Sequence, residues 1–293
     1  MPRIAGSGGS ALRRVRPVVA SGKGDAEAGP EEDGPKGATA PERRSATIAI
    51  YSVKGGVGKT TFAANLAWCS AQAAHHSDGH RTLLWDLDAA GGSGFLYGLE
   101  PKGSRLAEEV FNKDRPATKL IQKTADPLVD VLPADESIRA LDAQLMRIGK
   151  RKRLAKLTEE LSADYPRIVL DCPPVLNELS AQVARAADLI IVPLPPSPLS
   201  ARALELVVRE IAGTTKRHPP ILPVLSMLDM RRALHRQVRE AQPDWPAVPY
   251  ASVVEQCAVQ HRPVGAISPN SPAAQAFAML WRAIEAKLAE KRG

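Results

Sequence analysis

Cysteine is scarce: three in 293 residues, Cys69, Cys172 and Cys257, far apart and with no C-x-x-C pair. That scarcity excludes a disulfide framework, a structural zinc site and a cysteine-held cluster. No apolar run approaches the roughly 18 residues that a membrane-spanning helix needs. The N-terminus also lacks the apolar block of a secretory signal. The expectation is a chain neither secreted nor embedded in a membrane. What the sequence has is apolar content, 44% of its residues, enough for one large α/β domain or two small ones. It also has 39 Lys and Arg against 32 Asp and Glu, a net charge of +7, which suits a polyanionic partner without choosing between DNA and an anionic lipid surface.

Residues 1–45 stand apart from the rest. Thirteen of them are Gly or Pro, and Val18-Val19 is the only apolar cluster, so burial cannot offset the entropy of ordering them. The expectation is a disordered tail, with Arg13, Arg14 and Arg16 followed by the acidic Glu31, Glu32 and Asp33. It is either a solvated leader or an arm that binds a partner protein. From residue 46 to residue 293, apolar stretches alternate with helical ones. Strands are expected over 47–53, 82–88, 128–132, 167–171, 189–193 and 221–228, several of them continuously apolar as strands covered on both faces must be. The β-then-α rhythm predicts one α/β domain with a doubly wound, mostly parallel sheet.

The strongest chemical signal is Ser52-Val53-Lys54-Gly55-Gly56-Val57-Gly58-Lys59-Thr60-Thr61, between an expected strand and an expected helix. Gly55, Gly56 and Gly58, with Val57, allow a tight turn whose backbone N–H groups face a phosphate chain, and the helix N-terminus adds partial positive charge. Lys59 is suited to neutralise β- and γ-phosphates, the Thr60 hydroxyl to ligate Mg²⁺, and Thr61 to complete the cradle. Two further segments place carboxylates at expected strand ends, where α/β sheets put their sites. Arg167-Ile168-Val169-Leu170-Asp171 reads as the strand whose Asp171 holds a Mg²⁺-bound water. Leu83-Leu84-Trp85-Asp86-Leu87-Asp88 ends in a carboxylate pair that serves either the site or the capping of a turn. Cys172 has no general base near it in sequence and reads as a packed neighbour rather than a nucleophile.

The loop departs from the common G-x-x-x-x-G-K-[ST] pattern: Val53 stands where the first glycine would be, and Lys54 adds a second lysine. This K-G-G-x-G-K-T-T form resembles the deviant Walker A motif of the ParA/MinD superfamily. Asp86-Leu87-Asp88-Ala89-Ala90-Gly91 resembles that family's D-x-D-P-Q-G, with Ala89-Ala90 replacing Pro-Gln, and Asp171-Cys172-Pro173-Pro174 its D-[CT]-P-P. Leu225-Ser226-Met227-Leu228-Asp229-Met230-Arg231 is similar to the T-M-x-D-x-R strand end. Val248-Pro249 and Arg262-Pro263-Val264 match the two ends of I-P-R-N-x-x-x-S-E-A-P-x-x-G-K-P-V. The resemblance spans roughly residues 46–290 and is closer to ParA than to MinD.

The resemblance implies a P-loop NTPase of the deviant Walker A type that uses ATP and Mg²⁺. It implies that Lys54 crosses a homodimer interface to the partner's phosphates, that Asp88 orients the attacking water, and that Asp86 supports the metal shell. It implies an ATPase, slow until a cargo-bound protein stimulates it, acting as a dimeric switch on nucleoid DNA in the cytoplasm. The cargo would be a plasmid, a chromosome origin or a protein cluster. Tyr250 and Val253 stand where the family's DNA-holding arginines would be, so DNA contact would fall to Arg231, Arg232, Arg236 and Arg239 at near-helical spacing, and to Arg262. The other reading of those arginines is a solvated helix face, and the run Lys150-Arg151-Lys152-Arg153 carries the same pair of readings.

Competing functions are a MinD-like regulator on a membrane surface and a nucleotide-bound scaffold with little hydrolysis. The membrane reading would use the C-terminal stripe of Phe277, Leu280, Trp281, Ile284 and Leu288, for which packing on the sheet is the favoured account. The scaffold reading draws on Ala89-Ala90. Cluster-carrying relatives are excluded by the missing cysteine pair, and the superfamily's tyrosine kinases are disfavoured because no tyrosine cluster ends the chain.

Overall fold

Strands that are apolar along their whole length need cover on both faces, and the architecture supplies it. The computed structural model describes residues 45–73, 81–103, 106–112, 114–148, 152–214 and 218–290. The expected tail up to residue 44, with its arginine cluster, lies outside the described residues, as do Lys150 and Arg151.

The described strands are β1 (Ala46–Ile50), β2 (Thr82–Asp86), β3 (Gln122–Lys123), β4 (Val129–Leu132), β5 (Arg167–Asp171), β6 (Leu189–Leu194), β7 (Ile221–Leu228) and β8 (Ala247–Pro249). They form one sheet in the order β3-β4-β2-β5-β1-β6-β7-β8, parallel throughout except for the β3–β4 edge. The helices are α1 (Lys59–Ala73), α2 (Gly92–Leu96), α3 (Leu106–Asn112), α4 (Ile138–Ile148), α5 (Arg153–Leu161), α6 (Glu178–Ala186), α7 (Pro198–Thr214), α8 (Ala233–Ala241), α9 (Ser252–Gln260), α10 (Val264–Ile267) and α11 (Pro272–Glu290).

Successive residues of a strand point to opposite faces, and the core divides accordingly. On β1, Ile48 and Ile50 join Phe62, Leu66, Phe277 and Trp281 beneath α1 and α11, whereas Ala49 joins Trp85, Leu145, Leu157 and Val207 beneath α4, α5 and α7. The C-terminal stripe therefore packs inward: Phe277, Leu280, Trp281, Ile284 and Leu288 are all buried. Phe277 meets Phe62 edge to face, with ring centroids 5.2 Å apart. That face is core, which removes it as a membrane-inserting surface. Among the described residues no helix is long and apolar enough to cross a membrane.

Two expected strands are shorter than their apolar runs. The run 47–53 ends as β1 at Ile50, because the glycine-rich turn begins directly afterwards. The run 82–88 ends as β2 at Asp86, whose carboxylate takes the amides of Asp88 and Ser93 and folds the chain back. β3 and β8 were not expected, being two and three residues long. The reading of four arginines on one helix is corrected as well. α8 begins at Ala233, so Arg231 and Arg232 occupy the turn before it, and only Arg236 and Arg239 lie on the helix. Arg153 is no part of a basic surface: it is 2% exposed and donates to the carbonyls of Phe111 at 2.7 Å and Val110 at 2.6 Å, at the C-terminal end of α3.

α11 is tied to the sheet by one strong ion pair. The nearly buried Arg167 at the start of β5 donates two bonds, 2.7 and 2.8 Å long, to the Glu285 carboxylate. Bidentate pairing of this kind is stronger than a surface contact. Glu285 keeps about a third of its exposure, which tempers its worth. Glu285→Ala should cost about 1–2 kcal/mol of stability, read as a lowered urea midpoint, and Glu285→Gln should cost less. An unchanged midpoint in the alanine variant would show that the pair does not anchor the helix.

Candidate nucleotide-binding site

The site forms where β1, β2 and β5 end together. Their register sets Ile50 beside Asp171 and Asp171 beside Asp86, so the phosphate loop and both carboxylates leave the sheet in one row. The turn after β1 passes through Gly56 and Gly58, with φ of 70° and 95°, conformations that side chains disfavour. The Phe62 amide bonds the Gly58 carbonyl at 2.8 Å as α1 begins, which leaves the N-terminus of that fifteen-residue helix aimed at the loop. Lys59 is buried and reaches back across the loop, its Nζ 3.5 Å from the Lys54 carbonyl oxygen. Burial lowers the Lys59 pKa, and the Asp171 and Asp88 carboxylates oppose that shift. Lys54 is half-buried on the loop, its amide donating to Ser52 Oγ at 3.3 Å.

The carboxylates surround this lysine. Asp86 and Asp171 are both fully buried. Asp86 accepts backbone amides on both oxygens, from Asp88 at 3.0 Å and from Ser93 at 2.9 Å. Asp171 accepts the Ser93 hydroxyl on Oδ2 at 2.9 Å, and the Thr60 hydroxyl lies near enough to favour its ionised form. Its Oδ1 is buried and has no hydrogen-bond partner among the described residues. Burial pushes the Asp171 carboxyl up to about 6, against the Thr60 and Ser93 hydroxyls, and burial beside Asp171 raises Asp86 well above the usual range. Asp88 sits half-exposed at the mouth, its Oδ1 accepting the Ala90 amide at 3.1 Å in a turn that the Gly91 amide closes on the Asp88 carbonyl. The replaced Ala89-Ala90 pair thus still forms a closed turn. Cys172 is buried with its thiol pKa raised by that burial, as a packed neighbour should be.

A buried carboxylate oxygen with no donor, next to a threonine hydroxyl and behind a phosphate-binding turn, fits a magnesium ion that keeps its own waters. Among the described residues no three His, Cys, Asp or Glu side chains are assembled as a metal cage. Magnesium in phosphate sites does not need one, because substrate oxygens and water complete its shell.

The sequence reading brought the phosphate loop, Asp86, Asp88 and Asp171 into one site, and the structure gathers them there. It missed Ser93, whose backbone amide donates to Asp86 and whose side-chain hydroxyl donates to Asp171. The signal was the Gly91-Gly92-Ser93 run. Gly91 takes a positive φ of 66°, and a Cβ on Gly92 would lie 2.9 Å from the Thr60 methyl carbon. Also missed was an apolar cleft of about 220 Å³ beside the loop, lined by Gly58, Thr61, Phe62, Met227, Pro249 and Tyr250.

The comparisons agree with this geometry. The family model described as an AAA domain matches residues 45–224. Chromosome partitioning protein ParA of Myxococcus xanthus is 32% identical over 200 residues, 66% of this chain and 69% of that protein. The chain belongs to the ParA/MinD superfamily of P-loop ATPases. Two solved structures share its architecture. One is apo McdA from Cyanothece, at a TM-score of 0.71 and 18% identity, covering 85% of this chain and all of that one. The other is cobyrinic acid a,c-diamide synthase from Mycobacterium smegmatis with a bound ATP analogue and magnesium, at 0.65 and 26%, covering 82% and 94%.

The arginines named for DNA lie in the turn after β7, on α8 and just after α9. Arg231 pairs with Asp229 at 2.8 and 3.0 Å, and this pairing holds the Asp229 carboxyl down at about 2. Arg236 donates to the carbonyls of Met230 and Arg231, Arg239 to that of Trp245, and Arg262 to that of Ala266. Arg232 is exposed at the N-cap of α8. Tyr250 is also exposed, its hydroxyl donating to Glu255 at 3.1 Å.

A carboxyl whose folded pKa lies above its unfolded value destabilises the fold once pH exceeds the unfolded value. For Asp171 that penalty is absent below the ordinary 3.8 and fully developed above about 6. Without nucleotide, Asp171→Asn should therefore gain stability relative to wild type between pH 4 and pH 7, by about 1–3 kcal/mol, in urea titrations at the two pH values. A difference between the two proteins that does not change with pH would contradict the strained carboxylate.

Proposed function

We propose that this protein is an ATP-dependent dimeric switch that positions or segregates a cargo on nucleoid DNA. The observation that carries the reading is the donorless Asp171 oxygen beside the Thr60 hydroxyl, enclosed by a phosphate loop that bears both Lys54 and Lys59. The likeness to a chromosome partitioning protein supports the cargo-positioning part.

In this reading the amides of Gly55, Gly56, Val57, Gly58, Lys59, Thr60 and Thr61 hold the phosphates, and Lys59 neutralises the β- and γ-oxygens. Thr60 and Asp171 would hold magnesium, while Asp86 fixes the surrounding loop. Magnesium, when bound, supplies charge neutralisation at the phosphates. The cleft between Met227 and Tyr250 takes the base. Asp88, at the mouth, orients the water that attacks the γ-phosphorus, and Lys54 reaches the phosphates of a second copy, so that nucleotide closes the dimer. Turnover is slow until a cargo-bound protein, engaging the N-terminal tail, completes the site. The closed dimer, in the cytoplasm, holds nonspecific DNA through Arg231, Arg232, Arg236 and Arg262. Each of these except Arg232 bonds a neighbouring carbonyl or carboxylate, which pre-orders the guanidinium for a phosphate. The membrane alternative has lost its candidate helix face to the core.

Binding to nonspecific duplex DNA, measured with ATP, with ADP and without nucleotide across a salt series, tests this directly. Binding should require ATP and vanish in Lys54→Ala. It should weaken with a log–log salt slope of about −0.9 for each phosphate neutralised. A protein that ignores DNA in every nucleotide state has no track, and the positioning role would fall.

A further inference from the structure

His261 ends α9 in the left-handed conformation, with φ of 52°. A β-carbon makes that conformation unfavourable, and a histidine held there needs compensating contacts. Its ring meets Phe95 in two ways. Nδ1 lies 2.7 Å from the Phe95 carbonyl oxygen, and since a carbonyl only accepts, the ring carries a proton on Nδ1 and donates it. The imidazole also meets the Phe95 ring edge to face, with centroids 4.8 Å apart. Across from it, a Cβ on Gly98 would lie 3.4 Å from the His261 Cβ, an ordinary van der Waals distance, so the two turns pack directly against each other.

Phe95 belongs to α2, a five-residue helix set between Gly91 and Gly98, both at positive φ. Leu96 and Tyr97 anchor its inner side, the Tyr97 hydroxyl bonding the Ala64 carbonyl at 3.0 Å. On the outer side Phe95 is 47% exposed, and there His261 bonds its carbonyl and packs on its ring. The first turn of this helix carries Gly92 against Thr60 and Ser93 between Asp86 and Asp171. A helix so short has little stability of its own, so its position depends on what grips it.

We propose that His261 is a positioning residue for the hydrolytic site: it clamps α2 from the solvent side and so keeps Ser93 seated on the two buried carboxylates. The inference rests on the ATPase reading above and assigns a role to a side chain outside the nucleotide cleft. It also ties α2 to the turn that carries Arg262, the next residue along the chain.

His261→Gly is the informative variant, because glycine relieves the backbone strain while deleting the ring and its proton. The protein should stay folded by circular dichroism, and amide hydrogen exchange over residues 91–98 should quicken by about tenfold while the sheet is unaffected. ATP turnover should show kcat lowered about three- to tenfold with KM within about twofold. His261→Asn, which tolerates the same conformation and keeps an N–H donor, should recover part of both losses. Exchange over 91–98 at the wild-type rate, or quickened equally throughout the sheet, would overturn the proposal, as would an unchanged kcat. A wild-type protein with no turnover at all would instead overturn the ATPase reading, and the exchange comparison would still decide whether His261 seats α2.

Discussion

Two carboxylates with no access to water stand side by side where β2 and β5 end, and the surrounding structure answers to that fact. Like charges in a medium of low dielectric repel and resist ionisation. The chain meets the difficulty with short-range donors: two loop amides on Asp86, the Ser93 hydroxyl on Asp171 with the Thr60 hydroxyl near it, and the buried ammonium of Lys59 nearby. One oxygen of Asp171 is left over. Satisfying the arrangement fully takes a further positive charge from outside the chain. That deficit is what makes the site responsive: a ligand that brings the charge stabilises the state it binds.

The fold makes this tension affordable. Because the central strands bury side chains on both faces, the sheet is rigid and its C-terminal edge is a fixed row from which loops emerge. The phosphate loop leaves from β1 in the middle of that row, between β5 and β6, with α1 directly behind it. The apolar stripe of α11 packs beside α1 in the same layer. The superfamily's alternative use of such a stripe, on a membrane, is incompatible with side chains that are between 0% and 3% exposed.

Much of this was legible before any coordinates. Continuous apolar runs announced strands covered on both sides, and the spacing of Lys54, Lys59 and Thr60 after such a run identified the phosphate loop and the helix behind it. Asp171 was legible because a carboxylate directly after the apolar run Ile168-Val169-Leu170 has few other uses. Strand ends were less so, since Val53 and Leu87 are as apolar as the strands they follow, and only the glycine turn and the Asp86 hydrogen bonds end the ladder. Ser93 and His261 were hidden for a different reason. Each acts across a gap in sequence, Ser93 on a residue 78 positions away and His261 on one 166 positions away, and no local pattern encodes such a partner. Arg153 misled because a basic run reads as surface until its carbonyl partners on α3 are known. The arginines before α8 misled because near-helical spacing also fits a turn followed by a helix.

The central claim is that the buried carboxylate site is completed by a divalent cation arriving with nucleotide. The most direct measurement is calorimetric titration of the wild-type protein with ATP, in excess magnesium and again in excess chelator. The account predicts that removing magnesium weakens ATP binding by about tenfold or more, an energy of about 1.4 kcal/mol or greater. Equal affinity under the two conditions would mean that Asp171 and Thr60 hold no metal, and the account of the site would be wrong.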